Sequence, residues 1–466
     1  MKRIVFIFFI LLGTAPLVSS ADSSFSANIK SAVQNEKAKQ TISPGKLTPQ
    51  EKSQLKKTLQ EVYAKQQAKM QEMDKIFEKG FPYDIETKID VFKMDKASTL
   101  YLPERIRPFL EKIGGKFQED ISEEEQESWI RFFAKSESAW NWFLVQNEKE
   151  RQVLLQSYPD DLNDQNDSND QKIFPNRPTL ADYQQIFRDK KYIFLWEATY
   201  HGDEDQILEY LKILKAVRTA DDKNHKARIL LASEGISPVK SFVKEDLWNT
   251  TPPPLFHFAG DSISTDLLNV DNYDWITPFT DRLGIDILAL DTDIVAFDDT
   301  GIELKIGDVA LPISTTSVGG FASIVPENLR QSLDTFVERA ITFFSISYWG
   351  VAQRNRQWAN HIQAIAPFYD VIVVWAGVGH YSLADLILSE QDKNQAIQFF
   401  SAKTTPDPKL EAEYTQSYSI GNGFSMPSVQ ENKGTNPEGD SIMCYTSASS
   451  SLGDVIFVDL SCPETK

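Results

Sequence analysis

The stretch Asp370-Val371-Ile372-Val373-Val374-Trp375-Ala376-Gly377-Val378-Gly379-His380-Tyr381-Ser382 constrains the fold of this chain most. Its first half is an unbroken, β-branched apolar run. Such a run predicts a strand covered on both faces, as in a parallel sheet. Gly377 and Gly379 then predict a tight turn or a close backbone approach. His380 follows at the carboxyl end of the strand. Ser382 as N-cap, with Asp385 three residues on, predicts a capping box opening a helix through Leu386, Ile387 and Leu388. One imidazole is therefore expected where a strand ends and a helix begins, the place where open α/β sheets hold ligands. A helix N-terminus disfavours imidazolium, so His380 is expected to be neutral and able to bind a metal. A glycine turn carrying an incidental histidine fits the same residues.

The pattern recurs upstream. Lys191 to Glu197 predicts a buried strand running into Tyr200 and His201, followed by a helix with Ile207, Leu211 and Leu214 on one face. Ala227 to Ala232 predicts a strand ending near Glu234, and Gly284 to Leu290 one ending at Asp291. Trp275 to Leu283, Pro326 to Phe344 and Gln353 to Ile365 have helical periodicity, and Phe297 to Pro312 suggests an inserted hairpin. Strand and helix alternate from about Leu180. The expected class is α/β, with a largely parallel sheet over residues 180–403 flanked by helices.

Other regions frame this domain. Lys2 and Arg3, the apolar run Ile4 to Leu12, and the small residues Val18 to Ala21 predict a cleaved signal peptide, residues 1–21, and a periplasmic or secreted protein. Residues 22–158 predict an all-helical region. Thr48-Pro49-Gln50-Glu51 is a helix start, and Leu55, Leu59 and Val62 begin an apolar stripe that runs on towards Lys79. Residues 159–179, rich in Asp and Asn, predict a solvated linker. Residues 404–466 predict a loop-like tail with one strand, Asp454 to Leu460, and no nucleophile elbow in the Ser-rich stretch Thr446 to Ser451. The formal net charge is -19, or -19 - 2 = -21 without Lys2 and Arg3, which argues against nucleic acid and anionic membrane partners. No later stretch is expected to span a membrane. Cys444 and Cys462 are the two cysteines, expected to form a disulfide in an oxidising compartment, with two buried thiols as the alternative.

Parallel strands point their carboxyl ends the same way, so Glu197 with His201, Glu234, Asp291 and His380 are expected to share one cleft. His201, His380 and Glu234 form a plausible metal set. Taken one at a time, Glu234 and Asp291 also suit plain turn caps.

The order strand-His-Gly, strand-Glu, strand-Asp, then Arg354-Asn355-Arg356-Gln357-Trp358-Ala359, then Gly377-Val378-Gly379-His380 resembles the superfamily of ChaN-like haem-binding proteins, the TraB group, Tiki proteases and erythromycin-esterase-like enzymes. The resemblance covers about Tyr192 to Leu388. It departs from the family pattern at Ala198 and Thr199, which stand where the family has Gly and Glu, and Glu197 is the nearest carboxylate able to substitute. The resemblance implies three function classes. The first is an exported binding protein for haem or another metal-containing small molecule, with His201, His380, Tyr200 and Tyr381 as ligands and Arg354 pairing a ligand carboxylate, beside Asp291, Asn355, Gly377 and Gly379. The second is a hydrolase using a divalent metal ion, with Glu197, Glu234, His201 and His380 as its catalytic set. The third is a non-catalytic module, with the N-terminal helices engaging a protein partner or a second copy of the chain.

Overall fold

The structure, a computed structural model, describes residues 31–32, 45–79, 145–153, 172–174, 176–197, 204–220, 226–234, 237–238, 256–261, 268–269, 276–290, 295–298, 301–306, 309–314, 348–402, 445–450 and 452–462. The expected signal peptide, the helices expected between residues 80 and 144, the acidic run 160–171, Tyr200, His201, Asp291, the helix expected at 326–344 and Cys444 lie outside them.

The main sheet has nine strands: β1 (Lys172–Phe174), β2 (Tyr192–Glu197), β3 (Ile229–Ser233), β4 (Phe256–His257), β5 (Ile285–Ala289), β6 (Val371–Gly377), β7 (Ala396–Ala402), β8 (Tyr445–Ser450) and β9 (Gly453–Asp459). Their spatial order is β1-β8-β9-β7-β2-β6-β3-β5-β4. From β9 across to β5 every neighbouring pair is parallel. The outer pairings β1–β8, β8–β9 and β5–β4 are antiparallel. The chain builds β2, β3 and β5 outwards, then returns to insert β6 between β2 and β3. Strand β6 is thus paired on both edges and buried along its length up to Gly377, as its unbroken apolar run requires.

Alternation along the strands sorts side chains into two cores. Ile193, Leu195, Leu231, Val373, Trp375 and Phe399 face the helices α2 (Leu180–Phe187), α3 (Glu204–Thr219) and α4 (Ile276–Leu283). Phe194, Trp196, Leu230, Ile372 and Val374 face the opposite layer. There lie α1 (Pro49–Lys79), α5 (Tyr348–Ile365) and the short α6 (Leu383–Ile387). Each fully buried Leu, Ile or Val contributes about 1.5–3 kcal/mol. The α/β class is therefore met by a three-layer arrangement. No helix among the described residues is long and apolar enough to cross a membrane.

The domain reaches beyond 180–403. Lys172–Phe174, assigned by composition to the linker, is an edge strand. The tail supplies β8 as well as β9, and Thr446 to Ser450 is ladder rather than loop. Gly453, between them, has φ +103°, and a Cβ there would lie 2.5 Å from the Ala396 carbonyl oxygen, so no other residue fits. The expected hairpin is a three-stranded antiparallel sheet over Val295–Asp298, Gly301–Ile306 and Val309–Ser314.

The helix that starts at Pro49 joins the α/β domain instead of standing apart. Leu47, Leu55 and Leu59 are buried in the same core as Trp358. Thr48 and Glu51 form the expected capping box, and Glu51 also takes Arg228 Nη1 at 2.9 Å. The Glu51 carboxyl is held below its ordinary value of 4.5, first by the Thr48 hydrogen bonds and then by Arg228. A carboxyl lowered in the folded state stabilises above its unfolded value and loses that contribution as pH falls through the folded one. Glu51→Gln is therefore expected to lower the thermal midpoint at neutral pH, and the gap to the parent should close on acidification below pH 4.5. Scanning calorimetry across that range checks this, and a gap that persists at low pH would contradict it.

Candidate functional site

The carboxyl ends of β2, β3, β5 and β6 lie on one side of the sheet because those strands are parallel. At that end the structure brings together Glu234, Arg354, Asn355, Gly377 and His380. Glu234 follows β3, and its backbone N–H extends the ladder by donating to the Trp375 carbonyl at 2.8 Å. Its carboxylate turns to the α5 side. There Oε2 accepts from the Gly377 N–H at 2.7 Å, and Oε1 accepts from Arg354 Nη2 at 2.6 Å. His380 Nε2 lies 3.3 Å from the same Oε1.

The other ring nitrogen of His380, Nδ1, is 2.5 Å from Asn355 Oδ1, and Asn355 Nδ2 donates to Ser382 Oγ at 2.9 Å. The Trp358 ring lies 4.3 Å from the imidazole, centroid to centroid, and Arg354 Cζ sits 4.7 Å from the indole centroid. One helix thus supplies Arg354, Asn355 and Trp358, spaced so that a single turn faces the cluster. His380 is 4% exposed, and Glu234 is 9% exposed. Oxygen atoms of Asn355 and Glu234 thus face the two ring nitrogens of His380.

This geometry revises several expectations. Ser382 does not cap α6: its backbone is helical, no cap hydrogen bond forms, and its hydroxyl is bonded to Asn355 instead. His380 ends a 3-10 turn, Val378–His380, and α6 has five residues. No long helix therefore starts at His380 to set its dipole against the ring. Gly377 has ordinary extended backbone, so its conformation does not call for glycine, and a Cβ at Gly379 would meet nothing within 4 Å. Gly377 acts instead through its N–H.

Glu197 is elsewhere. By alternation it lies on the α3 side of the sheet, where its Oε1 accepts from Trp375 Nε1 at 2.7 Å. It is not part of the Glu234 cluster. Tyr381 packs against Trp196 and Phe400. Burial, followed by the nearby Asp385, raises its hydroxyl pKa, which works against a phenolate ligand. Cys462 is buried and disulfide-bonded.

The cofactor expectations meet the same donors. Among the described residues no group of three or more His, Cys, Asp or Glu side chains is arranged to hold a metal ion. The Glu234 oxygen nearest His380 already carries a guanidinium at 2.6 Å, and a cation there would have to displace Arg354. Both His380 ring nitrogens face protein oxygens, so neither is open to haem iron. His201, the second histidine of the expected ligand set, lies outside the described residues. The sequence reading gave Trp358 and Ser382 no place in the site, although the i, i+4 spacing of Trp358 from Arg354 was there to be used.

No family model matches the chain, and neither does any curated protein or solved structure.

Proposed function

We propose that the protein is an exported hydrolase whose proton-transfer group is His380, partnered by Glu234. The observation that carries this reading is the division of labour between the two ring nitrogens. Asn355 holds Nδ1 at 2.5 Å and fixes the ring, while Nε2 faces an ionisable carboxylate at 3.3 Å. A base oriented by a second group is the arrangement that acid–base and nucleophilic sites share.

Arg354 and the Gly377 N–H both donate to the Glu234 carboxylate, which faces Nε2. At 3.3 Å the His380–Glu234 contact is at the weak end for a hydrogen bond, whereas Arg354–Glu234 at 2.6 Å is strong. The imidazole contact is therefore the one that yields to a reacting group. A protonated Nε2 serves as general acid towards a leaving oxygen or nitrogen. The same atom, once deprotonated, takes the proton of an attacking water. Asn355 keeps Nδ1 out of this exchange. The hydrolytic members of the superfamily that the sequence resembles support the reaction class, and the signal-like N-terminus supports export.

The test is a panel of chromogenic carboxylic esters with purified protein. Turnover is expected, and His380→Ala should lower it by about 10²–10⁴-fold. Turnover that does not depend on His380, or haemin binding that disappears with His380→Ala, would contradict the proposal.

A further inference from the structure

We propose that Trp358 is a positioning residue that holds Arg354 and His380 together on one oxygen of Glu234. Its expected effect on rate rests on the acid–base reading above, while its effect on His380 does not.

Arg354 Nη2 and His380 Nε2 both address Glu234 Oε1, at 2.6 and 3.3 Å. Two groups able to carry positive charge repel when they meet at one oxygen. The Trp358 indole lies against both, with the guanidinium carbon 4.7 Å from its ring centroid and the imidazole centroid at 4.3 Å. An indole face carries negative potential and attracts cations. Trp358 is 1% exposed and belongs to the core that also holds Val374, Ala376 and Leu383. Its position is therefore fixed from behind, and Arg354 is one helical turn away on the same face of α5. Asn355, on that turn, fixes the far nitrogen of the same imidazole.

An apolar plug alone would be served by any side chain of similar bulk. The positioning role needs an electron-rich ring, and that separates the two. Trp358→Leu is expected to shift the His380 ring-nitrogen NMR signals and to lower kcat/KM for ester hydrolysis about tenfold, mainly through kcat. Trp358→Phe keeps a π face and should retain the parent signals and most of the rate. If the Leu variant does not fold by circular dichroism, fluorinated tryptophan placed at position 358 weakens the ring's pull on cations with little change of volume. The His380 signals should then move stepwise with fluorination. Signals that stay at the parent positions in the Leu variant, or that ignore fluorination, would overturn the proposal. So would equal shifts in the Leu and Phe variants, which would show a volume effect. Absence of ester turnover in the parent removes the hydrolase reading but leaves this comparison intact, because the ring signals need no substrate.

Discussion

Glu234→Ala is expected to cost about 3–5 kcal/mol of folding stability, because it removes the acceptor from a buried guanidinium. The side chain is 8% exposed, and its two oxygens serve Arg354, His380 and the Gly377 N–H. Removing it takes the shared acceptor from donors on α5, β6 and the turn after β6. Glu234→Gln keeps the volume and one oxygen but turns an amide N–H₂ towards donors, so its cost should fall between parent and Ala. Urea unfolding with a shared slope measures both. A loss below about 1 kcal/mol for the Ala variant would mean that the carboxylate is not the hub of the cluster.

The second large effect is expected on the other side of the sheet. Glu209, on α3, is 1% exposed and accepts from Tyr183 on α2 and from Arg177, with Lys212 Nζ at 3.1 Å. Arg177 also reaches the Leu460 carbonyl at 3.4 Å, so one carboxylate ties two helices to the end of β9. Glu209→Ala should cost about 3–5 kcal/mol, since it removes the buried acceptor that Arg177 and the Tyr183 hydroxyl share. Replacing Arg177 with Met in the same chain should recover part of that loss, because it removes the buried charge that the carboxylate offsets. A double-mutant cycle on urea midpoints reads the coupling, and strict additivity would contradict the network.

Periodicity made the centre of this fold legible. The run Val371 to Trp375 could bury both faces only as an interior strand, and β6 occupies that place between β2 and β3. The edges were harder to see. Lys172–Phe174 and the Ser-rich β8 carry too little apolar residue to show a period, and they are strands because β8 pairs with β9 and Lys172–Phe174 in turn pairs with β8. The same logic holds at the site. Strand ends located Glu234 and His380, and the Arg354-Asn355 pair pointed to α5, because parallel topology alone gathers such ends. Which side a carboxylate faces depended on alternation past the strand's last residue, and Glu197 fell on the far side. Ser382 misled because a hydroxyl at a helix start suits a cap and a side-chain partner equally well, and only packing decided for Asn355.

The most direct measurement is the pair of His380 ring-nitrogen signals in ¹⁵N-labelled parent protein at neutral pH, before and after adding zinc or haemin. An imidazole held between Asn355 and Glu234 should show both nitrogens protonated, and neither addition should move them. A nitrogen that is unprotonated and shifts on addition of the metal or haemin would show His380 to be a ligand, and would contradict the acid–base account.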